Sequence, residues 1–184
     1  NKPSQKGVLH HFTQVAAVAK LPVMLYDVPG RTGTTIALET YAELIKIDNV
    51  VAIKDAVGNF ARGVRLRELG FAVYSGDDIN NLAWLAHGAS GMVSVVGHAA
   101  GNELKAMSDA FFVGDHAEAL TIFTRTLPAI EAIMGVANYG ATTAKAALEL
   151  LGVIDNRYVR SPLVPLDDDE VTALRTGLET AGLI

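Results

Sequence analysis

The sequence predicts an α/β chain in which four strand–helix units build a parallel sheet and an all-helical tail follows. Three observations carry this. Apolar runs of strand length alternate with helical periodicity four times along the first part of the 184 residues. The runs lack polar alternation, as expected of parallel strands covered on both faces. Consecutive strand ends are far enough apart for a helical crossover each time.

Ser4 can cap a first helix, in which Val8, Phe12, Val15 and Val18 recur at helical spacing up to Lys20. Leu21 to Tyr26 reads as the first strand, and Ile36, Leu38, Tyr41, Leu44 and Ile45 mark the next helix. "NVVAIK" (Asn49 to Lys54) is the second strand, followed by a helix from Asn59 to Leu69. "FAVYSG" is the third, with a short helix from Asp78 to Ala86. "SGMVSVVG" is the fourth, with a helix from about Asn102 to Phe112. Beyond Gly114 the alternation stops. Asp115 can cap a helix carrying Leu120, Phe123, Leu127 and Ile130, which Pro128 should kink or shift. Thr142 to Leu151 is a helix closed by Gly152, and "DDDEVTALRTGLETAGLI" a last one whose acidic first turn suits the helix dipole. The expected division is 1–113 for the α/β part and 114–184 for the helical part.

Composition narrows the function. Half of the residues are hydrophobic, enough for a core. The formal net charge of -5 lacks the basic footprint of a nucleic-acid binder. The absence of cysteine excludes a disulfide framework and thiol chemistry, and fits a reducing, cytoplasmic location. No apolar run is long enough to span a bilayer, and no Walker-type or dinucleotide-binding glycine loop is present.

Ligands of parallel α/β sheets sit at the carboxyl ends of the strands, so those ends are where chemistry is sought. Strand alternation puts Ala52 and Lys54 on one face and Val51 and Ile53 on the other. The bulky pair suits the helix layer, so Lys54 faces inward. Burial lowers a lysine pKa, and a neutral lysine is a nucleophile for carbonyls. Met24 and Tyr26 share a face in the same way, which sets a phenol able to pass protons at the same end as Lys54. Arg31 follows a Pro-Gly turn, and its planar fork suits a carboxylate. Gly76 in "YSGDD" lets a ligand approach the backbone. Asp77 and Asp78, next to each other before a helix, read as cap and dipole partner, with no third ligand at metal spacing. His98 follows the fourth strand with an open role. Each residue also has an ordinary structural alternative: a lysine reaching into water, an aromatic at a strand edge, a solvated loop arginine.

The ordered motifs "YDVPGRTG", "AIKDAVGN", "YSGDD" and "GMVSVVGHAA" resemble, over essentially the whole chain, the dihydrodipicolinate synthase / N-acetylneuraminate lyase family. The resemblance implies a fold: the last four βα units of a (β/α)8 barrel plus a C-terminal helical domain. It implies a class I aldolase-type lyase in which Lys54 forms the Schiff base with pyruvate and Tyr26 relays protons. Arg31, typical of the synthase branch, would receive a substrate carboxylate, Gly76 would be the glycine of the strand motif, and Val93 would contact bound pyruvate. The reaction implied joins pyruvate to aspartate-4-semialdehyde in lysine biosynthesis, with no metal or organic cofactor, in a tetramer built as a dimer of dimers.

There are departures. The family's asparagine after the tyrosine is Asp27 here, expected to alternate outward with little effect, and His98 stands where the last motif usually has Asn. No "GTTGE" loop for the pyruvate carboxylate is present, nor is the family's second tyrosine, and four βα units cannot close an eight-stranded barrel. With the abrupt start at Asn1, the expectation is the C-terminal part of a longer enzyme, inactive alone. Two alternatives stay open: a pyruvate-dependent aldolase acting on a sugar acid, and a non-catalytic half-barrel with an assembly or binding role.

Overall fold

The computed structural model describes residues 1–184 and divides into two compact units, Asn1–Val93 and Ser94–Ile184. In the first unit the order is α1 (Gln5–Val18), β1 (Val23–Asp27), α2 (Pro29–Thr32), α3 (Leu38–Leu44), β2 (Val50–Asp55), α4 (Phe60–Glu68), β3 (Ala72–Ser75), α5 (Asn81–Ala86) and β4 (Gly91–Met92). A 3₁₀ turn, Asp78–Asn80, leads into α5. The four strands form one parallel sheet in the order β1-β2-β3-β4, so every connection is a crossover through helix, as the spacing predicts.

Helix α1 starts where Ser4 Oγ accepts from the Gly7 N–H at 3.3 Å. Its buried positions are Val8 and Ala16. Val15 and Val18 are exposed, so the predicted apolar stripe holds only at its first turns. The helix layer packs on Leu25, Ile53 and Val73, one residue from each of three strands, together with Tyr41, Leu44, Leu66 and Trp84. Val51 departs from the predicted alternation: it is exposed, whereas Val50 is buried. The cause is a register step, since Val23 pairs with Val50 but Met24 pairs with Ala52.

The Pro-Gly turn after β1 is a one-turn helix rather than a simple turn. Pro29 opens α2, where a missing N–H costs nothing. Gly33 closes it at φ 68°, a conformation glycine adopts freely. The fourth strand is shorter than predicted. It covers only Gly91–Met92, with the Val93 N–H adding one bond to the Ser75 carbonyl at 2.8 Å.

The second unit is helical: α6 (Gly97–Phe112), α7 (His116–Met134), α8 (Ala141–Leu150) and α9 (Asp168–Thr180). Before α6, Ser94 Oγ accepts from the Gly97 N–H at 2.7 Å, which turns the chain out of the predicted strand. Helix α6 begins earlier than expected, with a break in helical geometry at Ala100. Asp115 caps α7 through the Glu118 N–H at 3.0 Å, as the sequence predicts. The helix runs on through Pro128, and its buried face is Ala119, Ile122, Thr126, Ala129, Ile130 and Ile133. Leu120, expected in that stripe, is exposed. Asp167 and Glu170 form a reciprocal capping box at the start of α9. No helix is long and apolar enough to cross a membrane.

Candidate active site

The ends of β1, β2 and β3 carry the candidate site. Tyr26 lies directly opposite Lys54, and Lys54 directly opposite Tyr74. Alternation therefore sets three long side chains in a row on one face of the sheet. Lys54 Nζ sits 4.3 Å from the centre of the Tyr26 ring. Leu25, the intervening residue, is fully buried on the other face, and Met24 and Tyr26 share the opposite face, as predicted, where both are exposed.

Burial pushes the Lys54 ammonium below its ordinary value, while the Asp78 carboxylate pulls the other way. Asp78 is itself buried and accepts from Asn81 Nδ2 at 2.9 Å. Gly76 explains how the lysine fits. A Cβ there would stand 2.9 Å from Lys54 Cγ and 3.0 Å from its Cε, so the stem of Lys54 lies in the space that any side chain at 76 would need. The Gly76 N–H also donates to the Asp55 carbonyl at 2.7 Å, which fixes the two backbones against each other.

Arg31 lies on the exposed turn of α2, four residues from the end of β1, and its N–H donates to the Val28 carbonyl at 2.8 Å. Val93 follows β4 and is partly exposed. A cleft of about 390 Å³ opens beside Tyr26 between the start of α1 and the segment after β1. It is bordered by His11, Phe12, Thr32 and Ile36, and Lys54 is not part of its wall. Asp77 accepts from Asn80 Nδ2 at 2.7 Å, and no cluster of three or more His, Asp or Glu is placed to hold a metal.

Sequence reasoning missed what lies behind the pair. Asp27 does alternate away from Tyr26, but the expectation of little effect needs correcting. It is 1 % exposed, and its Oδ2 accepts from Arg62 Nη2 at 2.6 Å, the Ile36 N–H at 3.1 Å and the Tyr41 hydroxyl at 3.3 Å. Asp55, opposite it, is 0 % exposed and accepts from Arg62 Nη1 at 2.6 Å. Burial pushes the Asp55 carboxyl up, against the N–H groups of Val57 and Gly58 and the Arg62 charge, which hold it down. Burial, helped by Asp27, raises the Tyr41 phenol far above its usual range. Tyr74 has no role in the sequence reading, and Asp78, read there only as a cap or dipole partner, is the carboxylate that acts on Lys54. Both stand in "YSGDD", where alternation alone places Tyr74 with Lys54.

An amine of lowered pKa against a phenol, with a buried carboxylate nearby, suits attack on a carbonyl with proton transfer alongside. The chain is similar to known proteins. The model of the Dihydrodipicolinate synthetase family matches residues 1–181. A 4-hydroxy-tetrahydrodipicolinate synthase of Kineococcus radiotolerans is 49% identical over 184 residues, covering 100% of this chain and 59% of that protein. One from Bifidobacterium animalis subsp. lactis is 43% identical over 185 residues, covering 100% and 61%. The crystal structure of the dihydrodipicolinate synthase from Cyanidioschyzon merolae with lysine bound superposes with a TM-score of 0.92 at 39% identity, over 100% of this chain and 63% of that one. The chloride-inhibited enzyme from Acinetobacter baumannii complexed with pyruvate gives 0.91 at 34%, over 100% and 63%. The chain thus spans about three fifths of the length of the curated relatives it matches.

Proposed function

The chain belongs to the dihydrodipicolinate synthetase family, and on that premise we propose that it is the lysine-bearing part of an enzyme condensing pyruvate with aspartate-4-semialdehyde to 4-hydroxy-tetrahydrodipicolinate. The observation that carries the reading is the Tyr26–Lys54 pair: opposite each other on adjacent strands, 4.3 Å apart, the amine depressed by burial. The names of the relatives and the pyruvate complex of the Acinetobacter baumannii enzyme support the substrates.

In this reading the four βα units are the last four of a (β/α)8 barrel, residues 1–113, and 114–184 form its C-terminal helical domain. Neutral Lys54 attacks the pyruvate ketone to give a carbinolamine. Tyr26 supplies a proton to the departing hydroxyl, and water leaves. The resulting imine draws electrons from the neighbouring methyl group, which loses a proton to give an enamine. The enamine carbon bonds to the aldehyde carbon of the semialdehyde, whose oxygen takes up a proton. The semialdehyde amine then displaces Lys54 and closes the ring, so no metal or organic cofactor is needed. Arg31 receives a substrate carboxylate, Val93 contacts pyruvate, and Gly76 leaves room for Lys54 and its adduct. The enzyme would work in the cytoplasm as a tetramer of the dimer-of-dimers type.

The test is turnover by the full-length protein of pyruvate with aspartate-4-semialdehyde, set against cleavage of sugar acids. Consumption with the semialdehyde, lowered at least about tenfold by Arg31→Ala through loss of a charge-assisted bidentate contact, supports the reading. Turnover of sugar acids alone, or activity indifferent to Arg31→Ala, counts against the substrate or against the arginine's role respectively.

A further inference from the structure

Resting on the aldolase reading, we propose that Arg62 is a positioning residue for the Tyr26–Lys54 pair: by tying Asp27 to Asp55 it locks the register of the two strands that present the phenol and the amine. Asp27 and Asp55 are the residues immediately after Tyr26 and Lys54, and they too lie opposite each other. They point to the opposite face of the sheet, where one guanidinium spans both. Nη1 meets Asp55 Oδ2 and Nη2 meets Asp27 Oδ2, each at 2.6 Å, and Nη2 also donates to the Ile36 carbonyl at 2.8 Å.

The clamp is anchored at every end. The Arg62 N–H donates to Asn59 Oδ1 at 3.0 Å, in the first turn of α4. Asp55 Oδ1 accepts from the N–H groups of Val57 at 2.8 Å and Gly58 at 3.3 Å. The Tyr41 ring lies 5.3 Å from the guanidinium carbon. A guanidinium is a planar fork whose donors keep a fixed angle. The two carboxylates cannot slide past each other without breaking one of the short bonds. Any such slide would move Tyr26 past Lys54 by the same amount, because the clamp residues directly follow the pair in each strand.

Stability alone does not call for this device. A buried ion triad is weak evidence of stabilisation, since apolar residues fill the same space without desolvating charge, and setting register is its best-attested use. Asp27 Oδ1 bears this out: it is buried with no hydrogen-bond partner, an arrangement poor for stability but compatible with fixing Oδ2. Apolar packing of Leu25, Ile53 and Val73 already holds the layers together, but it tolerates small slips that a charged fork does not.

The experiment compares Arg62→Lys with the wild type in the full-length protein. Lysine keeps the charge and loses the fork. Two quantities are read: the rate of borohydride-trapped pyruvate adduct per folded molecule, and the Tyr26–Lys54 geometry in a crystal structure of the variant. Misplacement of reacting groups by about 1 Å costs roughly 100-fold. Arg62→Lys should therefore trap about 10- to 100-fold more slowly at saturating pyruvate, with half-saturation nearly unchanged, and the 4.3 Å separation should change by about 1 Å. Arg65→Ala, which removes only an exposed guanidinium on the same helix, should match the wild type. A merely structural role would lower the melting temperature yet leave rate and geometry intact, and that result overturns the proposal. A wild-type protein that never traps pyruvate overturns the aldolase reading instead, while the crystal geometry still decides the clamp.

Discussion

Replacing Gly76 with alanine should displace Lys54 without adding or removing any charged group. An added Cβ would lie 2.9 Å from the Asp55 carbonyl oxygen, 2.9 Å from Lys54 Cγ and 3.0 Å from Lys54 Cε. Carbon atoms rest about 3.5–4.0 Å apart, so both contacts to the lysine are short by about half an ångström or more. The carbonyl cannot retreat freely, because it accepts the Gly76 N–H at 2.7 Å. The strain therefore falls on the lysine stem, which must swing away from its place beside Tyr26. Overpacking of this kind costs about 1–3 kcal/mol, or a melting temperature lower by about 2–12 °C for a chain of this size. Loss of alignment should slow pyruvate trapping about 10- to 100-fold. The assay is a thermal melt alongside the rate of borohydride-trapped adduct, with Gly101→Ala as control, since nothing lies within 4 Å of a Cβ there. Gly76→Ala with an unaltered melt and an unaltered rate would show that Lys54 does not occupy the space over residue 76.

Tyr26→Phe keeps the ring beside Lys54 and removes the hydroxyl, so adduct formation should slow by about 10²–10⁴-fold with little change in the melt; an unchanged rate would remove Tyr26 from proton transfer. The trapping rate should rise with pH and level off at an inflection below 10.5, because burial favours the neutral amine. Asp78→Asn removes the influence that raises the lysine pKa, so its inflection should lie lower still, and an upward shift would contradict the assignment. In the helical unit, a Cβ at Gly177 would run into Ala132 Cβ and lie 2.8 Å from the Pro128 carbonyl oxygen. Gly177→Ala should push α9 from α7 at a cost of about 1–3 kcal/mol, read as a lower melting temperature.

The strand–helix order was legible because its signals are local. Ser4 and Asp115 cap helices as their residue types suggest, and alternation put Tyr26 and Lys54 on one face. Errors came where distant neighbours decide. Leu120 and Val18 fit a helical stripe by spacing, yet no partner covers them and they are exposed. Val51 is turned out by a register step that a single strand does not reveal. The fourth strand stops early because a serine side chain bonds the backbone three residues on. Asp27 shows the limit most clearly. Alternation correctly sends it away from Tyr26, but only the crossover geometry shows that Arg62, 35 residues on, waits there. Acidic residues ending two adjacent apolar strands were the available signal that a buried cation had to lie behind them.

The decisive measurement is the mass of the full-length protein after incubation with pyruvate and borohydride, with the modified peptide sequenced. The Schiff-base reading predicts one reduced pyruvate adduct per chain, on Lys54, lost in Lys54→Ala. A folded protein that gains no adduct, or carries it on another lysine, would contradict it.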